Sequence, residues 1–138
     1  MVKSAGYSST PLIKKLGIKD GFSLRIINAP NDYFDLLGQL PDNISLLEDT
    51  SASKDFIHFF TKSTQEFKDL LPQLKTEIKP AGMIWVSWPK KSSKVPTDIS
   101  ESIIRDFALD IGLVDIKICA VDQTWSGLKL VIPVKDRK

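Results

Sequence analysis

One cysteine and one histidine in 138 residues exclude two large classes of chemistry at the outset. A disulfide framework needs cysteines in pairs, and the usual zinc sites need several Cys and His ligands. With a lone Cys119 and a lone His58, neither can be built, and no metal ligand is assigned. Long apolar runs are missing as well. The longest, FIHFF at 56–60 and MIWV at 83–86, are strand-length, far short of the roughly 18 residues that a spanning helix needs. The opening MVKSAGYSSTPLIKK has no apolar stretch before Pro11, so no signal peptide is expected and the expected location is cytoplasmic, with no membrane partner. A net charge of +2 is too mild to favour nucleic acid, which calls for a concentrated basic face. Phosphate-loop, zincin and nucleophile-elbow patterns are all absent.

What is present is ordinary for a globular chain: 42% hydrophobic and 26% charged residues, in a length that suits a single domain over residues 1–138. The segment STPLIKKLG reads as a short helix with Thr10 as cap, Pro11 at the first helical position and Gly17 as left-handed exit. Strands follow at 22–28 and 44–48, with a helix at 32–37 between them, capped by Asn31 and closed by Gly38. FIHFFT at 56–61 is apolar on both faces, as expected of a central parallel strand covered by helices on either side. The next helix opens with Ser63-Thr64-Gln65-Glu66, a capping box in which serine and glutamate each satisfy an orphan backbone donor. Its apolar stripe is Phe67, Leu70, Leu71, Leu74 and Ile78, interrupted by Pro72. Lys79-Pro80 ends it, Gly82 turns the chain, and 83–87 form a fourth strand. Asp98 and Glu101 mark a further helix that runs to Gly112, and strands at 114–121 and 128–134, joined by DQTWSG, close the chain as an antiparallel hairpin.

The fold class expected from this order is α/β, a single domain with a mostly parallel, Rossmann-like sheet of about six strands ending in an antiparallel hairpin. One connection strains it. Only residues 49–54 separate the second and third strands, and about six extended residues reach roughly 20 Å. That is barely enough to return along a strand and cross two strand spacings. The alternative is a hairpin of these two strands in a mixed sheet.

Three segments carry a resemblance: AGYSSTPLIKKLGIKDG at 5–21, WPKKSSKVPTDISE at 88–101 and VDIKICAVDQTWSGLKLVIP at 114–133. Together they resemble a family of short bacterial proteins known only as a domain of unknown function, number three-thousand-fifty-two in its series. That resemblance implies no activity. The order strand, helix, Ile78-Lys79-Pro80-Ala81-Gly82 turn, strand, helix and final hairpin is also similar to class I methyltransferases, which implies a strand order and not a function.

In an open α/β sheet, ligands bind at the carboxyl ends of the strands, where the strand order reverses. S-adenosylmethionine or a dinucleotide there usually needs glycines after the first strand, so that backbone can approach the ligand. Here the turn reads Asn28-Ala29-Pro30-Asn31. It has no glycine, and Pro30 has no amide N–H, so no cofactor is assigned. Glu48, closing the second strand, could hold a ribose diol or simply be solvated. His58 shares a strand face with Phe56 and Phe60 and reads as a packing residue, replaceable by Phe without loss of the fold. Cys119 reads as a small buried hydrophobe. No catalytic residue is assigned.

One constellation remains. With the fifth strand parallel to the fourth, Asp122, Trp125 and Ser126 of the hairpin tip come to the same sheet edge as Trp88 and Lys90, with Tyr7 and Ser8 in reach. Two indoles, a phenol, a lysine and a carboxylate suit a planar or anionic ligand. Alternatively, the tryptophans wedge the loops together and Asp122 pairs with Lys90. The leading expectation is a non-catalytic or regulatory module binding a small molecule or protein at this edge. An enzyme of degenerate methyltransferase-like descent, with Asp122 or Lys90 handling protons, is the alternative. A third is weak nucleic-acid binding through Lys90, Lys91 and Lys94, in a patch that Asp98 and Asp122 interrupt.

Overall fold

The computed structural model describes residues 10–51 and 53–137. Its elements, in chain order, are α1 (Leu12–Leu16), β1 (Ser23–Ile27), α2 (Tyr33–Leu37), β2 (Ser45–Leu46), β3 (Lys54–Phe60), α3 (Thr64–Glu77), β4 (Ile78–Pro89), α4 (Glu101–Asp110), β5 (Val114–Ala120) and β6 (Trp125–Val131). They form one six-stranded sheet in the order β2-β1-β3-β4-β6-β5. The first four strands are mutually parallel, and β6 is antiparallel to both β4 and β5. The expected α/β architecture is thus observed, with β3 central and β5 parallel to β4.

The strained connection resolves through the length of β2. This strand has two residues, Ser45 level with Ser23 and Leu46 level with Leu24, while Leu24 is level with Phe56 on β3. The chain between Leu46 and Lys54 therefore starts and ends at nearly the same height. It has only to pass β1, about two strand spacings of roughly 4.8 Å each, and β2 pairs with β1 rather than with β3.

Alternation along the strands sends side chains to two cores. One holds Ile57, Phe59, Ile84, Val86 and Trp88 against Phe67, Leu71 and Leu74 of α3 and Ile104 and Ala108 of α4. The other holds Leu24, Phe56, Phe60, Met83 and Trp85 against Leu16 of α1 and Tyr33 and Leu37 of α2. Burial on both faces explains why β3 reads as a nearly unbroken apolar run.

The ends of the elements depart from expectation in instructive ways. Pro11, not Thr10, occupies the α1 cap position, and Gly17 exits with φ 87° while its N–H reaches the Ile13 carbonyl at 3.1 Å. Asp32 rather than Asn31 precedes α2. Ser63 caps α3 by accepting from the Glu66 N–H at 3.1 Å, but the other half of the box belongs to Thr61, whose Oγ1 accepts from the Ser63 N–H. Glu66 is thereby released to point elsewhere. Ser100 caps α4, whereas Asp98 accepts from the Thr64 N–H of α3 at 2.7 Å, tying the starts of the two helices together. The β4 strand begins five residues earlier than the apolar run, and the register slips between Lys54 and Phe56. Gly82 sits in that slip: a Cβ there would meet the Lys54 carbonyl oxygen at 3.0 Å, so only glycine fits without a shift. Next to the β5 edge, β6 starts at Trp125, three residues before the expected 128. The hairpin turn is shortened accordingly.

Candidate functional site

The chain leaves β1, moves outward to β2, then crosses back to β3, so the strand order reverses between β1 and β3. Over the carboxyl ends of these two strands lies an open cleft of about 470 Å³ lined by Asn28, Pro30, Phe60, Thr61, Glu66 and Trp125, among others. It occupies the position at which open α/β sheets take ligands.

Each lining group is placed by a local feature. Asn28, just after β1, takes the left-handed region with φ 61°, a conformation that asparagine tolerates better than most non-glycine residues. The backbone bends as a glycine would allow, but the bend carries a side chain. Asn28 Nδ2 donates to the Phe60 carbonyl and to Glu66 Oε2, both at 3.2 Å. Thr61 Oγ1 donates to Glu66 Oε1 at 2.6 Å. The Glu66 carboxylate, brought forward by the first turn of α3, thus bridges the ends of β1 and β3 and retains lone pairs for a third partner. Half-buried Trp125 supplies the apolar wall, backed edge to face by the fully buried Phe60 ring with centroids 5.1 Å apart. Sequence reasoning missed Thr61 and Glu66 because it read Glu66 as half of a capping box, while its reading of Phe60 as a packing residue matches the fully buried ring. The strand-end position of Thr61 was the available signal.

The proposed constellation at the sheet edge is only partly assembled. Tyr7 and Ser8 lie outside the described residues. Lys90 and Asp122 do meet: the Lys90 ammonium donates to the Asp122 carbonyl at 2.6 Å, and the Lys90 N–H to the Thr124 carbonyl at 2.8 Å. The Asp122 carboxylate is committed to the turn, accepting from the N–H groups of Thr124 and Trp125 at 2.8 and 2.7 Å. The two tryptophans do not meet across one surface. Trp88 is 8% exposed and packs in the α3–α4 core, while Trp125 packs on the α1–α2 side. Ser126, opposite Trp88 in the ladder, follows Trp125 by one residue and points to the other face. The alternation of the strand separates Trp125 from Trp88 and Ser126.

Glu48 lines a different hollow of about 300 Å³ between α2 and the β1 and β2 ends, walled by Ala29, Pro30, Phe34 and Leu46 among others.

His58 is fully buried in mid-strand. Its Nδ1 lies 2.9 Å from the Tyr33 hydroxyl and its Nε2 2.7 Å from the Ser87 hydroxyl, and its ring stacks on Phe60 with centroids 4.2 Å apart. Burial pulls the imidazole down to about 3 and pushes the Tyr33 phenol well above its usual value. A neutral imidazole donates at one nitrogen and accepts at the other, so the two hydroxyls take opposite roles. The line resembles a nucleophile, base and orienting group, yet Ser87 is 0% exposed, and no substrate atom can reach its oxygen. Cys119, expected to be buried, is half-buried because β5 is an edge strand with one neighbour.

Comparison with known proteins follows the topology. The chain superposes on a SAM-dependent methyltransferase from Aquifex aeolicus with TM-score 0.60 at 16% identity, covering 88% of each chain. A precorrin-6y C5,15-methyltransferase from Geobacter metallireducens GS-15 gives 0.59 at 9%, covering 95% of this chain and 93% of that one. The ribosomal protein L11 methylase of Lactobacillus delbrueckii subsp. bulgaricus gives 0.57 at 12%, covering 88% and 74%. At these identities the likeness is one of fold. No curated protein matches the sequence. A family model does match, over residues 31–134, which include the second and third of the segments noted above but not 5–21. The chain belongs to that family, DUF3052, described as proteins of unknown function.

Proposed function

We propose that this protein is a non-catalytic module on a methyltransferase-like sheet, binding a planar small molecule with hydrogen-bond donors in the cleft over β1 and β3. The observation that carries this reading is the Asn28–Glu66–Thr61 bridge across the strand ends, beside the half-buried Trp125 ring. A carboxylate held by two donors is an acceptor already oriented for a third, and an aromatic wall suits a flat ligand. The turn that would cradle S-adenosylmethionine instead offers an asparagine side chain and a proline without an N–H. The two groups an altered enzyme would use for protons, Asp122 and Lys90, are both engaged in holding the hairpin turn, which favours binding over catalysis.

Calorimetric titration with S-adenosylmethionine and NAD is expected to give no micromolar binding; such binding, lost on Asn28 or Glu48 substitution, overturns the reading. Quenching of tryptophan fluorescence across a panel of planar heterocyclic amines is expected to find a ligand. Its affinity, measured by calorimetry so that the readout does not depend on Trp125, should fall at least about tenfold in both Glu66→Gln and Trp125→Ala, a change of about 1.4 kcal/mol or more. Because Trp125 is only half-buried, Trp125→Ala should cost less than the roughly 3 kcal/mol of a large core truncation. A larger loss in the unfolding midpoint would make Trp125 a packing residue.

A further inference from the structure

The hairpin carries a cluster of positive charge that its own fold does not neutralise. Lys117 on β5 and Lys129 on β6 are directly opposed in the antiparallel ladder, an arrangement that destabilises a sheet when the charges are alike. Two more lysines come from α1 and its exit. Lys117 Nζ donates to the Lys15 carbonyl at 3.1 Å, and Lys129 Nζ lies 4.0 Å from the place of a Cβ on Gly17. Burial, and then the proximity of Lys117 and Lys19, hold the Lys129 ammonium below the usual lysine range. The half-buried Cys119 thiol beside them feels both Lys15 and Lys117.

No described carboxylate pairs with any of the four; the ion pairs of the described residues use Arg25, Lys54, Lys79 and Arg105. Asp115, the one acid on β5, is bonded to Arg105. Asp20, next to Lys19, accepts from the Asp42 N–H at 3.0 Å. All four lysines are exposed or half-buried, so an external anion can reach them.

We propose that Lys15, Lys19, Lys117 and Lys129 form a second binding site, for a multivalent phosphate group. Lys117 and Lys129 come from opposed strands, and Lys19 acts electrostatically on Lys129 and Lys15 on Cys119; a local group of lysines of this kind suits a compact di- or triphosphate better than a nucleic-acid backbone. Lysine binds phosphate as a point charge, and a bound anion relieves the repulsion between Lys117 and Lys129. None of the four lines the strand-end cleft, so this site and the one proposed above stand or fall separately.

The test is calorimetry on the full chain with tripolyphosphate, a nucleoside triphosphate and a single-stranded RNA oligonucleotide, at low and at physiological salt. Tripolyphosphate and the nucleotide are expected to bind alike, more weakly as salt screens the charges. The double variant Lys117→Gln/Lys129→Gln should lose about tenfold or more in affinity, and without ligand it should unfold no earlier than wild type, because the opposed charges are gone. Lys19→Gln, a change at an exposed position, should weaken binding in the same direction should the double variant fold poorly. Lys91→Gln/Lys94→Gln, in the loop after β4, should bind as wild type. Absence of tripolyphosphate binding at low salt, or affinity unchanged in the double variant and in Lys19→Gln, overturns the proposal. Much tighter binding of the nucleotide than of tripolyphosphate moves the source to a nucleotide site; tighter binding of RNA than of either overturns the compact-anion assignment.

Discussion

At the scale of single residues, His58 shows how a buried polar group makes stability depend on pH. The folded imidazole sits near 3 against an ordinary 6.5, so below pH 6.5 the unfolded chain takes up a proton that the folded one refuses. The stability this group contributes is complete above pH 6.5 and is lost as pH falls toward 3, at up to about 1.4 kcal/mol per pH unit. Urea unfolding across that window should show the slope in wild type and a shallower one in His58→Gln. Replacement by Phe is not the neutral change that packing alone implies. It strands the Tyr33 and Ser87 hydroxyls in the core, and an unfulfilled buried hydroxyl costs about 1–3 kcal/mol.

At the scale of elements, the end of α3 is fastened to the sheet by charge. Glu77, fully buried, accepts from Arg25 Nη1 at 2.6 Å and lies 3.2 Å from the ammonium of Lys54, which is also fully buried. Lys54 is further held by the Ser51 carbonyl and by Asp49 at 3.4 Å. Such a group adds little net stability when intact, but removing one partner leaves a buried charge without its counterpart. Glu77→Gln is therefore expected to destabilise by about 3–5 kcal/mol. The double variant Glu77→Gln/Lys54→Met should recover most of the loss, as measured by chemical denaturation. No recovery in the double variant would refute the assignment to charge.

At the scale of the whole molecule, the sheet has a strong middle and a weak side. The β3, β4 and β6 strands are flanked on both sides and covered by two cores, whereas β2 is an edge of two exposed residues. Native-state hydrogen exchange should find amides of β3 and β4 exchanging only through global unfolding. The Ser45 and Leu47 amides, which donate to the Phe22 and Leu24 carbonyls at 3.0 and 2.8 Å, should open at lower free energy. Equal protection of the two groups would contradict this gradient. The cleft over β1 and β3 lies between these regimes, with β3 and the start of α3 as its fixed wall.

Local chemistry made the element order legible. The apolar period of α3, the two-sided hydrophobicity of β3, Ser63 as a cap and Gly17 and Gly112 as left-handed exits are all consequences of short-range geometry, and sequence carries short-range geometry directly. The absence of a glycine cradle after β1 was likewise plain from the residues. Pairing across the sheet was not. Whether Trp88 and Trp125 share a surface depends on a register between strands 37 positions apart in the chain, and a shift of one residue turns every side chain to the opposite face. The role of Glu66 was hidden because a capping box and a strand-end acceptor look identical until Thr61 takes over the reciprocal bond. Nothing in the sequence sets Lys54, Glu77, Lys117 and Lys129 apart from any other charged residues. The tertiary structure alone brought the first two together in the interior and left the other two opposed, because charge is priced by its surroundings and those are assembled from distant parts of the chain.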